Sequence, residues 1–528
     1  MVVRSTVLRL WVLRLSAVQM TSKPTSRNAA SGEHLMLSVL LDGMADIAPV
    51  HDRRVSGVHL DSRQVVAGDL FIALQGDTVH GLDFLQAVIG NKASAVLVSS
   101  GDPRCGDGER SALLSASISL IEIDNLASLT GEIASRFFGN PSSAMSMVGV
   151  TGTDGKTSVC HLLGQALNAN NNVCGVLGTL GWGFGDKLQS TGLTTPDAVV
   201  LQSALAEIFN AGAKTVAMEV SSHALSQQRV NGIAFDIAVL TNIGRDHLDY
   251  HGDMQSYRDA KKTLFYKPQL RSAVINADDQ FGEQLLDQLP ELDLYSYGAA
   301  VRKGNHIQYL NVKHLTSGLS FDLEFDGKSY PVVSGLIGGF NVQNLVATFA
   351  VLVALGVSPE LAVASLSELK PVPGRMEATL LDNGAVVIVD YAHNPHALES
   401  VLHTVSTHCD GKLLVVFGCG GDRDQGKRPM MASVAEEFSD VCIVTDDNPR
   451  SESGDAIVEQ IVAGFKSRQN ITIERDRKSA IEFAMSQAAS GDFVVVAGKG
   501  HEDYQLIGDK RLPFSDSAVV ASYAETMA

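Results

Sequence analysis

The sequence predicts an α/β protein of three domains: a small N-terminal α/β domain, a central α/β domain of P-loop type, and a C-terminal, Rossmann-like, doubly wound domain. Three observations predict it. At 528 residues, 45% hydrophobic and 19% charged, the chain is too long for one core and apolar enough to bury several. An apolar run at 145–150 passes through a glycine-rich turn into text whose Leu162, Leu163, Ala166 and Leu167 share one helical face. Beyond Pro371, strand and helix patterns alternate strictly, which implies a largely parallel sheet.

Residues 1–35 stand apart. Arg4, Arg9, Arg14, Lys23 and Arg27 precede the first acidic residue, Glu33, a weak likeness to a transit peptide, and Arg9 and Arg14 interrupt the apolar stretch 7–18 that a secretory signal would need. The expectation is a disordered extension or a start placed too early, with Met20 or Met36 as the true start; organelle targeting is the minor reading. Residues 36–141 read as short strands, including 69–74 and 95–99, between Gly- and Asp-rich turns, and form the N-terminal domain. The central domain, 142–370, carries strands at 145–150, 215–220, 236–241 and 273–276. The last, 371–528, carries strands at 385–389, 413–417, 441–445 and 493–497.

A net charge of −18 argues against a general nucleic-acid surface while leaving room for a local basic pocket. Cys105, Cys160, Cys174, Cys409, Cys419 and Cys442 form no CxxC pair, so neither a disulfide framework nor a zinc site is expected, and a reducing cytoplasm fits. No apolar run reaches the roughly 20 residues a membrane span needs. Internal repeats and low-complexity segments are absent from the sequence.

Each strand of the last domain is followed by polar text: Asp390, His393 and Asn394; Gly418, Asp422, Arg423 and Asp424; Asp447, Asn448, Pro449 and Arg450; then Gly498, His501 and Glu502. Open parallel sheets bind ligands beyond the carboxyl ends of their strands, so four such loops predict a polar site at one edge. In the central domain, Gly149, Gly152, Thr153, Asp154, Gly155, Lys156, Thr157 and Ser158 lie between strand and helix, where a phosphate cradle belongs. Glycines admit backbone N–H groups to phosphate oxygens, Lys156 can reach the terminal phosphates and Thr157 can ligate Mg²⁺. Val150 stands where a strict Walker A motif has glycine, so the loop is a variant.

Residues 153–157 resemble the phosphate loop of the Mur ligases and of the folylpolyglutamate synthetases. The run Met218 to His223, the run Arg245 to Gly252, the run Val372 to Glu377 and the four C-terminal loops resemble the Mur ligases that add the third amino acid of the peptidoglycan stem, from Ser56 to Ala521. Asp154 departs from the family, which usually has Asn there, and a carboxylate beside triphosphate is repulsive unless it faces Mg²⁺ or solvent.

The resemblance implies ATP-dependent amide ligation through an acyl phosphate, with ATP and Mg²⁺ as cofactors, UDP-N-acetylmuramoyl-L-alanyl-D-glutamate and meso-2,6-diaminopimelate as substrates, and a monomeric, cytoplasmic enzyme. Lys156 with Glu219, His247 and a carbamylated Lys261 is implied as the catalytic set, and Thr157 with the last three as the metal ligands. On residue chemistry alone, Glu219 before two serines reads as a capping or ion-paired carboxylate, and Lys261 as a solvated helix lysine with Lys262 its structural neighbour. Asn341, Asn344, Arg375, Asp390 and His393 are implied to meet ATP together with the loop, though both asparagines could equally cap a helix. Arg375, near the hinge, would approach the triphosphate as the last domain closes.

Leu60, Ser62, Asp77, Thr78 and Val79 fall where the family binds uridine and pyrophosphate, and Thr194, Thr195, Ser221, Gln227 and Arg229 where it binds sugar and peptide. Arg423, Asp447, Asn448, Pro449, Arg450, Gly498 and Glu502 are implied to hold diaminopimelate. An arginine fork answers the carboxylate that distinguishes diaminopimelate from lysine. The rivals are a lysine-adding relative, a folylpolyglutamate synthetase and a noncatalytic scaffold in an organelle.

Overall fold

The computed structural model describes residues 35–527 apart from 77, 171, 186, 191 and 290. The expectations for residues 1–34 and for Asp77 lie outside the described residues. Leu35, the first described residue, pairs with Val55 in a two-stranded ribbon.

Four parallel strands make the first sheet, in the order Val58–His59, Leu70–Ile72, Ala95–Ser99 and Ser119–Ile123. Helix Leu126–Phe137 covers it because Leu126, Ile133, Ala134 and Phe137 recur on one face. Val199 and Ala206 of the next domain's helix Ala198–Asn210 join the same core, which ties the two domains together.

The central sheet has eleven strands. At its middle, Ser146–Thr151 lies between Thr215–Glu219 and Ile237–Leu240, all parallel, and the carboxyl end of Ser146–Thr151 feeds the phosphate loop. Antiparallel strands extend both edges: Gly181–Phe184 and Lys187–Gln189 on one side, and Gly318–Phe325 and Lys328–Ser334 on the other. Their hydrophobic period is two, as in Leu319, Phe321 and Leu323, so one face is buried and the other solvated, unlike the continuous apolar runs of the parallel strands. Helix Phe340–Ala354 is buried almost all round and packs beside Lys156–Ala169.

The last sheet has six strands in the order Glu377–Leu380, Val386–Asp390, Phe493–Ala497, Leu413–Phe417, Val441–Val444 and Ile471–Ile473, parallel except for the first. Its carboxyl edge carries the four polar loops and a hairpin, Tyr504–Ile507 with Lys510–Pro513, that the sequence reading did not anticipate. Among the described residues no helix is long and apolar enough to cross a membrane.

Helix Asp516–Met527 is locked onto this domain by a fully buried ion pair: Arg477 Nε and Nη2 each donate to an Asp516 oxygen at 2.7 Å. Removing one partner strands the other charge in the core. Asp516→Ala is expected to cost about 3–5 kcal/mol of C-terminal domain stability in denaturant unfolding, whereas Arg477→Met with Asp516→Leu restores most of it.

Candidate functional site

The phosphate loop is gripped from the neighbouring strand end. Thr241 Oγ1 donates to Asp154 O at 2.6 Å, Asn242 Oδ1 accepts from Asp154 N at 3.0 Å, and Thr153 N donates to Asn242 O at 2.9 Å. Gly155 starts the helix at φ 81°, and a Cβ there would lie 2.6 Å from Asn344 Oδ1, so glycine is required both by conformation and by space. Asp154 itself is exposed, and only its backbone holds the loop.

Two lysines converge on one carbonyl. Lys156 Nζ donates to Gly152 O at 2.9 Å and Thr153 O at 2.8 Å, and Lys261 Nζ donates to Gly152 O at 2.7 Å. Lys261 is 1% exposed, which corrects the solvated-surface reading of its residue chemistry. Burial, aided by Lys156, pulls its ammonium from 10.5 down to about 6, so at neutral pH this amine is largely uncharged and nucleophilic.

Glu219 ends its strand buried at 1% exposure. Thr179 N and Oγ1 donate to its two oxygens at 2.8 and 3.1 Å, and Thr157 hydrogen-bonds it from the loop helix. Burial raises its carboxyl above the usual range, against the pull of Lys156 and these hydrogen bonds. A Cβ on Gly178 would come within 2.1 Å of Glu219 Oε1, so the carboxylate occupies space only glycine leaves.

His247, at φ 52°, packs its ring 4.7 Å from His223 and hydrogen-bonds no part of the loop. Tyr257 bridges the two regions: its hydroxyl lies 3.0 Å from Thr153 Oγ1 and its ring lies 4.7 Å from Lys261 Nζ and 6.4 Å from the His247 ring. Among the described residues no three His, Cys, Asp or Glu side chains form a metal cage. That donor set suits Mg²⁺, which keeps its waters and takes one or two protein oxygens beside phosphate; Thr157 and Glu219 are such a pair.

Asn341 and Asn344 are buried and cap nothing. Asn341 Nδ2 donates to Ile337 O at 2.8 Å and Asn344 Nδ2 to Asn341 Oδ1 at 2.9 Å, which turns Asn344 Oδ1 toward Gly155. Arg375 shares a narrow cleft with Ser158 and Asn341, stacks 5.3 Å from the Tyr391 ring, and its Nε is buried with no hydrogen-bond partner among the described residues. Asp390 is taken up by backbone amides, accepting from Met376 N and Ala392 N at 2.9 Å each, and so ties the segment after Arg375 to the loop carrying His393. His393 Nδ1 lies 2.9 Å from Tyr391 O.

Thr194, Thr195, Ser221, Gln227 and Arg229 form one connected cluster at the end of the Glu219 strand, with Thr195 buried at its centre. Thr195 Oγ1 donates to Glu219 O, Ser221 N donates to Thr195 Oγ1, and Arg229 donates to Thr195 O and Gln227 Oε1. Thr194 Oγ1 lies 3.1 Å from Thr179 Oγ1. Leu60, Ser62 and Val79 line a separate cavity of about 630 Å³ in the N-terminal domain; Thr78 is exposed and outside its lining. The sequence reading missed His59, Phe84 and, from the central domain, Asp197, Val200 and Ser203 on the same wall. Asp197 was findable as a helix-start signal, since it caps Val199 N and Val200 N.

In the last domain, Asp447, Asn448 and Pro449 are buried and Arg450 is half-buried at φ 52°. Arg450 N donates to Leu506 O at 3.0 Å and its carbonyl accepts from Gly508 N at 2.8 Å, so the hairpin holds the backbone. Its Nη1 donates to Gly421 O at 2.7 Å, while Nε and Nη2 have no hydrogen bond among the described residues. Gly498 N donates to Asp390 O, Glu502 accepts from Asn448 Nδ2 at 2.9 Å, and Arg423 is exposed at the rim.

Three family models match in chain order: "Mur ligase family, catalytic domain" over residues 54–138, "Mur ligase middle domain" over 150–352 and "Mur ligase, glutamate ligase domain" over 374–500. The chain belongs to the Mur ligase family. It is similar to Mur ligases named "UDP-N-acetylmuramoyl-L-alanyl-D-glutamate--2,6-diaminopimelate ligase" from Coxiella burnetii, at 43% identity over 91% of this chain and 97% of that one, and from Alkalilimnicola ehrlichii, at 45% over 93% and 99%. A solved Mur ligase structure titled with the same activity aligns at TM-score 0.70 and 33% identity over 94% of this chain and 99% of that one. A folylpolyglutamate synthase of Mycobacterium tuberculosis complexed with ADP shares the fold at TM-score 0.54 and 20% identity, over 70% of this chain and 92% of its own.

The folded Lys261 releases its proton near pH 6 and the unfolded one near 10.5, so between those values unfolding takes up a proton and stability rises with pH. Below pH 6 the burial cost is complete. In CO₂-free buffer, Lys261→Met is therefore expected to raise Tm by about 2–4 °C at pH 6 and by progressively less toward pH 10, read by calorimetry.

Proposed function

We propose that this Mur ligase joins UDP-N-acetylmuramoyl-L-alanyl-D-glutamate to meso-2,6-diaminopimelate with ATP, in the cytoplasm, and that the observation carrying the reading is Arg450 and Glu502 on two strand-end loops tied together by the Asn448 Nδ2 bond to Glu502 Oε2. An arginine whose Nε and Nη2 have no hydrogen bond among the described residues, on a loop bonded to a carboxylate, matches an amino acid bearing a second carboxylate and a second ammonium. The relatives' names agree with it.

In the first step a substrate carboxylate oxygen attacks the terminal phosphorus of ATP, the bond to ADP breaks, and an acyl phosphate forms. Two anions must meet, so Lys156 and the loop amides offset the phosphate charge, helped by the helix start at Lys156. Thr157, Glu219, His247 and a carbamylated Lys261 would hold Mg²⁺, which would supply further neutralisation of the phosphate charge. The neutral Lys261 amine adds to CO₂, forming an N–C bond and losing a proton to solvent, which replaces repulsion from Lys156 by attraction. In the second step the amine of diaminopimelate attacks the acyl carbon, the C–O bond to phosphate breaks, and the nitrogen gives up its proton.

Asn344, Arg375 and His393 are assigned to the nucleotide side, with Asp390 bracing them. The cavity around Leu60 and Ser62 takes the uridine end, and the Thr195, Ser221 and Arg229 surface the peptide end.

Labelled diaminopimelate incorporation with ATP and the UDP-muramoyl dipeptide is the test; turnover with lysine in its place would reject the reading. Arg450→Ala should raise KM for diaminopimelate by roughly 10-fold to 100-fold and leave KM for the dipeptide unchanged. Equal loss of both would reject the assigned role.

A further inference from the structure

Lys499 is a lysine with 0% exposure at the carboxyl edge of the last sheet, and the reaction described above does not use it. Its Nζ donates to Glu502 Oε2 at 3.0 Å and to Asn448 Oδ1 at 3.1 Å, and lies 5.5 Å from the centre of the Tyr504 ring. Asn448 completes the triangle: Nδ2 donates to the same Glu502 Oε2 at 2.9 Å, and Oδ1 accepts also from Leu506 N at 2.9 Å. A buried cation thus joins three segments, the loop carrying Arg450, the loop carrying Glu502 and the hairpin starting at Tyr504.

The consequence lies in which oxygen is used. Both donors converge on Oε2, so the Glu502 carboxylate is held in one rotamer and Oε1 has no hydrogen-bond partner among the described residues. An ionised carboxylate has further lone pairs to offer, and an ammonium is a strong donor for them. Asn448, which bonds Glu502, lies two residues before Arg450 in the same loop, so the carboxylate and the arginine are carried by linked segments.

We propose that Lys499 is a positioning residue for amino-acid selection: by pinning Glu502 Oε2 together with Asn448, it presents Oε1 to a substrate ammonium and keeps Glu502 in register with Arg450. This rests on the diaminopimelate reading. Without the cation, Glu502 Oε2 keeps the Asn448 bond alone, so one hydrogen bond rather than two fixes the carboxylate.

The test is steady-state kinetics of Lys499→Met in the full-length enzyme, alongside wild type and Lys499→Arg. The loss of one charged hydrogen bond predicts a KM for diaminopimelate raised by about tenfold or more, with KM for ATP and for the UDP-muramoyl dipeptide within about twofold of wild type. ATP–ADP exchange driven by the dipeptide alone should persist, and Lys499→Arg should recover part of the loss. A KM for diaminopimelate unchanged in Lys499→Met, or a uniform fall in every parameter, overturns the proposal. Lys499→Gln is the second variant, and unfolding of both would show that the residue holds the domain together rather than the substrate, which also overturns it. Failure of wild type itself to incorporate diaminopimelate would instead reject the functional reading.

Discussion

The constraint on which the rest of the structure depends is that half-buried Lys156 and fully buried Lys261 share the carbonyl of Gly152. Like charges that close and that buried are unfavourable, so one amine is driven toward neutrality and the surroundings are arranged to receive anions. Glu219 supplies one negative partner, buried above the loop helix where Gly178 leaves room for it. Nucleotide phosphates and a carbamate on Lys261 would supply the others. The parallel strands end at this point because a glycine-rich turn between strand and helix is where backbone amides can face an anion.

Around that centre the three domains divide the chemistry by charge and shape. The N-terminal cavity borrows one wall from helix Ala198–Asn210, so the two domains share a site as well as a core. The last domain keeps its charged groups paired or half-satisfied at the strand ends, with Asn448, Lys499 and the hairpin at Tyr504–Ile507 fixing the Arg450 loop. Arg375 and Asp390 lie near the start of the last domain: Asp390 binds the backbone of Met376 and Ala392, while Arg375 Nε is buried beside Asn341 with no partner among the described residues.

Features local in sequence were legible from it. The strand, glycine turn and Lys156 helix are contiguous, and the four C-terminal loops each follow a recognisable apolar strand. Lys261 was not legible from its chemistry, because its burial is created by a carbonyl 109 residues away. The same distance problem hid Asp197 on the cavity wall and the link from Lys499 to Asn448, 51 residues apart. The antiparallel strands Gly318–Phe325 and Lys328–Ser334 were passed over because their alternating pattern is weaker than the apolar runs beside them.

Burial makes Lys261 an amine that neutralises rather than a cation that binds. The direct test is ¹³C NMR of the protein equilibrated with ¹³C-bicarbonate at neutral pH. A single carbamate resonance in wild type that is absent from Lys261→Met is the expected result. No carbamate signal in wild type, or one that survives the substitution, would contradict it.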